Sequence, residues 1–119
     1  MRDFRKYKVY QDAMDYVVKI YEITKEFPKD EKYGLISQTR RAAVSIPSNI
    51  AEGAGRGTEK DFSRFLEIAI GSTFEIETQL TLSSRLGFLK KETFEYLIKE
   101  LENIQKQLNG FRSKLREKS

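Results

Sequence analysis

Residues 91–117, KETFEYLIKELENIQKQLNGFRSKLRE, are the most regular segment of this 119-residue chain. Apolar side chains recur along the segment at alternating steps of three and four residues, which is the spacing of one face of an α-helix. These residues are Phe94, Leu97, Leu101, Ile104, Leu108, Phe111 and Leu115. A helix with one such seam is not stable alone, because other helices must cover the seam. The segment therefore predicts a helix over 91–117 that belongs to a bundle.

Three further segments have helical periodicity, over residues 8–26, 31–54 and 59–86. The first ends at Phe27-Pro28, because proline disfavours helical geometry in the residue before it. The third begins after Thr58, which is suited to cap a helix N-terminus. The predicted apolar stripe of the first helix is Tyr10, Ala13, Met14, Val17, Ile20, Tyr21 and Ile23. Short connections favour antiparallel neighbours, so we predict an all-α, antiparallel up-and-down four-helix bundle, a single domain over residues 1–119.

The second helix carries two further predictions. Asp30 is the expected N-cap, with Glu31 in the first turn, where the helix dipole favours an acid. Pro47 lies inside the helical pattern, where it removes one backbone hydrogen bond and clashes with the carbonyl of Ala43. We therefore expect a kink at Pro47, or two helices that meet near Ile46. The glycine-rich residues 53–57, GAGRG, fit a C-terminal cap followed by a turn.

A polar stripe accompanies the apolar face of the second helix. Its members are Gln38, Arg41, Ser45, Asn49 and Glu52, with Ser48 beside Asn49. One interpretation is hydrogen bonding within the fold, in which Arg41 pairs with Glu52, Glu75 or Glu77 and the serine and asparagine satisfy backbone groups freed by Pro47. The two alternatives are a subunit interface and a binding site for a ligand or nucleic acid.

The composition excludes most catalytic and metal chemistry. The chain has no cysteine and no histidine, so it has no thiolate nucleophile, no Ser-His-Asp triad and no zinc site built on thiolate or imidazole. Glu75 and Glu77 lack the histidine partners of a di-iron bundle. We predict a protein that is not an enzyme and has no catalytic, cofactor-binding or metal-binding residues.

The first residues contain no apolar core of a signal peptide, and the chain contains no run of 18 apolar residues that would span a membrane. A cytoplasmic location without a membrane partner is the default expectation.

The net charge of +4 is an effect of the two chain ends. Residues 1–8 carry +3 and residues 106–119 carry +4, whereas the middle has 13 basic and 16 acidic residues. Three clusters are therefore candidate nucleic-acid contacts. They are Arg5, Lys6 and Lys8; Arg56, Lys60 and Arg64; and Arg112, Lys114 and Arg116.

Each basic cluster has an alternative interpretation. The first is interleaved with Phe4, Tyr7 and Tyr10, which fits either stacking on RNA or an arm packed on a neighbouring helix. The second cluster lies at a helix N-terminus, where backbone N–H groups favour phosphate, although ordinary loop chemistry also accounts for it. The third is either a polyanion-binding tail or a helix end at which cations suit the dipole.

Two runs of sequence resemble a known family. They are residues 27–57, FPKDEKYGLISQTRRAAVSIPSNIAEGAGRG, and residues 62–80, FSRFLEIAIGSTFEIETQL. They are similar to the 23S rRNA intervening-sequence proteins, formerly labelled S23 ribosomal proteins, and the phrase SIPSNIAEG is specific. The resemblance implies an antiparallel bundle that assembles as a homopentamer without enzymatic activity. It favours an oligomeric protein associated with RNA or other nucleic acid; the alternative is a scaffold that binds a protein partner without nucleic-acid contact.

Overall fold

The computed structural model describes the backbone of residues 2–118 and the side chains of residues 2–117. Short 3-10 helices at Phe4–Lys6 and Lys29–Glu31 precede the first and second α-helices. The four α-helices are α1 (Lys8–Thr24), α2 (Leu35–Ala54), α3 (Glu59–Arg85) and α4 (Lys91–Lys118). Each packs against its neighbours in the order α1–α2–α3–α4–α1, within a body of 45 × 23 × 20 Å. The predicted all-α four-helix bundle is confirmed.

One face of each helix forms the core. Of the predicted α4 seam, five residues are buried and two, Phe94 and Phe111, are partly buried against the core. Each fully buried Leu, Ile or Phe side chain contributes about 1.5–3 kcal/mol relative to an exposed one. The largest fully buried side chains are Tyr16, Ile20, Ile46, Ile50, Phe62, Leu66, Ile76, Leu80, Leu97, Leu101, Ile104 and Leu108.

The predicted apolar stripe of α1 is partly wrong. The buried residues are Val9, Ala13, Tyr16, Ile20 and Thr24, whereas the predicted Met14 and Tyr21 are 42% and 40% exposed. The buried face is therefore rotated toward the side of the helix that carries Tyr16. This tyrosine tolerates burial because its Oη donates a hydrogen bond to the carbonyl oxygen of Leu97 on α4, at 2.9 Å.

The predicted start of α2 is also wrong. Residues Lys29–Glu31 form a 3-10 turn, and α2 begins only at Leu35, so Asp30 is not its N-cap. Glu31 takes part of the capping role instead, because its Oε1 accepts a hydrogen bond from the backbone N–H of Leu35 at 3.1 Å. A carboxylate one turn before the helix thus satisfies a backbone donor that has no partner inside the helix.

Helix α2 continues through Pro47, so the alternative of two separate helices is wrong. A bend at Pro47 stays a prediction. The side chain of Asn49 donates to the carbonyl and the hydroxyl of Ser45, at 2.7 and 2.9 Å. It therefore does not satisfy the carbonyl of Ala43, which is the group that Pro47 deprives of its donor.

Three small residues lie at helix ends, where they satisfy backbone groups or allow the chain to turn. Thr58 caps α3 as predicted, since its hydroxyl accepts from the N–H of Asp61 at 3.1 Å. Gly55 is the C-cap of α2, as predicted for residues 53–57, with a φ of −83° and its N–H directed to the carbonyl of Glu52 at 3.2 Å. Gly87 closes α3 in the left-handed conformation, with a φ of +83°, and the N–H of Phe88 donates to the carbonyl of Ser83 at 2.8 Å.

Candidate functional site

The alternation of helix direction brings three distant segments to one end of the bundle. These are residues 2–8, 52–67 and 106–118, which we call the basic end. Arg2 joins the first two segments, because its Nη1 donates to the carbonyl oxygens of Ala54 and Arg56, at 3.1 and 2.6 Å. Its Nη2 also lies 2.8 Å from Oε1 of Glu59, at the start of α3.

Aromatic rings fix the N-terminal segment to the bundle. The ring of Tyr7 lies 5.0 Å from that of Phe111 and 6.4 Å from that of Phe62, measured between centroids. Phe4 makes an edge contact with Tyr10 at 5.0 Å. Burial raises the pKa of the Tyr7 hydroxyl, against the opposing effect of Arg2. Of the two arrangements expected for this segment, the structure shows an arm packed on neighbouring helices.

The basic end contains all three predicted basic clusters. Its three segments carry 12 basic and 6 acidic residues, whereas the rest of the chain carries 10 basic and 12 acidic residues. The basic end therefore has a formal charge of +6, and the remainder has −2. Clusters that are separated along the sequence thus produce one positive region in the folded chain.

Acidic side chains hold several of these cations in place. Arg112 and Arg116 both approach Oε1 of Glu67, at 3.6 and 3.1 Å. Arg56 pairs with Glu52 at 2.8 Å, and its guanidinium also lies 4.6 Å from the ring centroid of Phe65.

Five other basic side chains of the basic end are not paired with a carboxylate in the described part of the chain. Among the side chains of residues 2–117, no carboxylate lies within 4.0 Å of the charged groups of these five. They are Lys6, Lys60, Arg64, Lys106 and Lys114. All five are exposed and therefore accessible to an anion from solution.

One groove of the basic end lies between the start of α3 and the end of α4. It has a volume of about 380 Å³ and is lined by Lys60, Asp61, Ser63, Arg64, Glu67 and Arg116. Three cations therefore surround two carboxylates beside a helix N-terminus, where the dipole favours an anion. The exposed Lys60 and Arg64 give the groove two cations that can contact a phosphate, whereas Arg116 is paired with Glu67 and the N–H of Asp61 is already bonded to Thr58.

Asp12 lies at the border of the basic end. Its Oδ2 accepts hydrogen bonds from Lys8 Nζ and Gln107 Nε2, at 2.7 and 2.8 Å. Burial opposes the charged form of this carboxylate, but the hydrogen bonds from Lys8 and Gln107 outweigh burial and lower the pKa of Asp12 below its ordinary value. Asp12 thereby fixes Lys8 at the N-terminus of α1.

The polar stripe of α2 divides between two environments. Ser45 and Asn49 are half-buried, and the hydroxyls of Ser45 and Ser72 are 2.8 Å apart, which joins α2 to α3. Gln38 and Arg41 are exposed on the outer groove between the same helices. Within residues 2–117, Arg41 forms none of the expected ion pairs with Glu52, Glu75 or Glu77. Glu52 pairs with Arg56 instead.

Arg40, the neighbour of Arg41, is a structural residue that contacts the end of α1. Its Nε donates to Oγ1 of Thr24 at 2.8 Å, and its Nη2 donates to the carbonyl of Tyr21 at 3.2 Å. The guanidinium also lies 4.5 Å from the ring centroid of Tyr21. Cations suit carbonyl groups at a helix C-terminus, so Arg40 stabilises the end of α1, a contact that depends on how α1 packs on α2.

Neither a membrane span nor a metal cluster occurs in the described part of the chain. Along residues 2–118, no helix combines the length and apolar character that crossing a membrane requires. The side chains of residues 2–117 also contain no group of three or more acidic residues arranged to hold a metal ion.

Comparison with known proteins gives the family. No curated protein matches this sequence. The fold resembles the crystal structure of a protein of unknown function from the S23 ribosomal protein family of Bacteroides thetaiotaomicron VPI-5482, with a TM-score of 0.79 and 24% sequence identity. The match covers 87% of this chain and 97% of that chain, and at this identity it shows the fold alone. The family model described as 23S rRNA-intervening sequence protein matches residues 5–110. The chain therefore belongs to the 23S rRNA-intervening sequence protein family.

Proposed function

We propose that this protein is a non-enzymatic, self-associating helical bundle that contacts nucleic acid through its basic end. The observation that supports the proposal is the convergence of all three basic clusters on one end of the bundle. Phosphate backbones attract such a region without regard to sequence, because each cation that neutralises a phosphate releases a bound counterion. Lys60 and Arg64 are the most suitable contacts, because they are exposed and lie beside the N-terminus of α3.

Self-association would strengthen this contact. The homopentamer implied by the family resemblance would carry a net charge of about +20, which increases long-range attraction to a polyanion. Large apolar side chains on outward faces of the helices support association. They are Met14, Val18, Val44, Ile68, Phe74 and Leu82, each between 40% and 58% exposed. Gln38 and Arg41, exposed between α2 and α3, suit an interface in which polar groups set the register of two copies.

The binding test compares two charge variants. In the first, Lys6, Lys60 and Arg64 at the basic end are each replaced by glutamine. In the matched control, the exposed Lys25, Lys91 and Lys99, which lie outside the basic end, are replaced in the same way. We expect the first variant to weaken RNA binding in a gel shift and to reduce its salt dependence, whereas the control binds like wild type.

Two outcomes contradict the proposal. If micromolar wild-type protein shows no shift with RNA at low salt, the basic end does not contact nucleic acid. If light scattering gives the mass of a monomer, self-association is lost. A pentamer mass would agree with the assembly that the resemblance implies.

The alternative function is a scaffold for a protein partner, and the exposed apolar side chains of α1–α3 are the observation that favours it. A pull-down after nuclease treatment distinguishes the two functions. A single partner retained after treatment favours the scaffold, whereas recovery only from untreated lysate favours nucleic-acid contact.

A further inference from the structure

A second groove of the basic end has an apolar floor. It lies between the first turn of α1 and the last turns of α4 and has a volume of about 410 Å³, within the usual range for ligand pockets. Val9 is buried and Phe111 half-buried, so their side chains form the floor. The exposed Lys8, Lys106 and Lys114 form the rim. Apolar surface and cations are therefore adjacent.

Gly110 keeps part of this groove free of side chains. A Cβ added to Gly110 would meet no atom within 4 Å, so packing does not require glycine there. Backbone geometry does not require it either, since Gly87 is the glycine with positive φ in the described chain. Glycine inside a helix costs about 0.5–1 kcal/mol relative to alanine. A bare helix surface is useful where a ligand approaches the backbone closely.

The cations of the rim are placed to meet anions on both sides of Gly110. Lys106 and Lys114 lie four residues before and after it, so they share its face of α4 and are about 12 Å apart along the helix axis. Within residues 2–117, neither has a carboxylate within 4.0 Å, whereas Lys8 is paired with Asp12 at 2.7 Å. Two lysines are therefore available for a ligand.

We infer that this groove holds one unpaired base of a single-stranded nucleic acid, with the flanking phosphates on Lys106 and Lys114. A base has flat apolar faces and a polar edge, which match the floor and the rim. Gln107 can read that edge, because its Nε2 donates to Asp12 at 2.8 Å and its Oε1 is left to accept from an amino group. The inference rests on the proposed contact of the basic end with nucleic acid.

The consequence is a preference for single strands. A duplex presents phosphates but keeps the faces of its bases inside the stack. It can therefore reach Lys106 and Lys114 but cannot fill the apolar floor. A single strand can satisfy both parts of the groove.

The test blocks the groove without changing its charge. Gly110→Leu places a side chain over the floor and replaces glycine with a better helix former, so the fold is retained. Asn109→Leu is the matched control, because Asn109 is the exposed neighbour on α4 and does not line the groove. Binding is measured by fluorescence anisotropy with a labelled, unstructured RNA of about 12 nucleotides and with the corresponding duplex.

We expect Gly110→Leu to weaken single-strand binding about tenfold, the size of one lost base-stacking contact, and to leave duplex binding unchanged. Asn109→Leu should bind both RNAs like wild type. Equal single-strand affinity for wild type and Gly110→Leu would overturn the inference while leaving the proposed function intact. Equal losses for single strand and duplex would also overturn it. If wild-type protein binds neither RNA, the proposed function fails and the inference fails with it.

Discussion

Gly53 lies where α2 meets the start of α3, and a methyl group has no room there. An ideal Cβ on Gly53 would lie 2.7 Å from Cβ of Phe65 and 2.9 Å from Cδ1 of Phe62. Both distances are well below the optimal carbon–carbon separation of about 3.5–4.0 Å. Phe62 is fully buried in the core, and Cβ of Phe65 is attached directly to the backbone of α3. The substitution Gly53→Ala must therefore push the two helices apart.

Two opposing effects determine the magnitude. Overpacking of a close contact costs about 1–3 kcal/mol, whereas replacing a helical glycine with alanine contributes about 0.5–1 kcal/mol. Because both contacts are shorter than 3.0 Å, the overpacking cost lies in the upper part of its range, at about 2–3 kcal/mol, so we expect a net loss of about 1–2 kcal/mol in the free energy of unfolding. At about 4 °C per kcal/mol for a chain of this length, Tm falls by about 4–8 °C.

Gly71→Ala is the matched control. Gly71 lies inside α3 and is exposed, and a methyl group added to it would meet no atom within 4 Å, so only the gain in helix propensity remains. We expect this variant to be about 0.5–1 kcal/mol more stable than wild type. Thermal melts followed by circular dichroism, with urea titrations, measure both variants. A Tm for Gly53→Ala equal to or above that of wild type would refute the reasoning.

Three further predictions concern single side chains. Arg40→Ala should lower the free energy of unfolding by about 1.5–3 kcal/mol, and Arg41→Ala by less than about 0.5 kcal/mol, in urea titrations; equal midpoints would contradict this. Tyr16→Phe should destabilise by about 1 kcal/mol through loss of the hydrogen bond to Leu97, and an unchanged Tm would count against that bond. Asp12→Asn should lower the free energy of unfolding at neutral pH but not at acidic pH. Because the folded-state pKa of Asp12 is lowered, its stabilisation is present above the ordinary pKa of 3.8 and is lost as the pH falls through the folded value. Urea midpoints across this pH range test it, and a pH-independent difference would exclude it.

The helices and most of their ends were predictable from sequence because the signals are local. The seam of α4 follows from the spacing of its own residues, and Thr58 caps α3 through an N–H three residues later. Such signals involve a turn or two of helix and do not depend on what packs against it. The start of α2 was predicted too early because Glu31, and not Asp30, contributes the capping carboxylate from outside the helix.

The rotation of each helix about its axis was less predictable. In α1 the buried face includes Tyr16, and its members follow three- and four-residue steps just as the predicted stripe does, so spacing alone does not choose between the two faces. The acceptor of the Tyr16 hydroxyl, the carbonyl of Leu97, belongs to a helix 81 residues away. Arg40 and Arg41 differ by about 100° around α2, so a modest rotation decides which of them meets α1.

By itself, the sequence determined that this chain is a helical bundle, that it lacks histidine and cysteine chemistry, and that its positive charge lies near its two ends. These properties depend on composition and on periodicity within single helices. Only the tertiary structure decided that both ends join the Arg56 cluster in one basic region, and that Gly110 borders an open groove while Gly53 fills a tight contact. The reason is physical. The free space around a residue depends on helices that are distant in the sequence, and the spacing of residues within one helix does not determine how closely those helices approach.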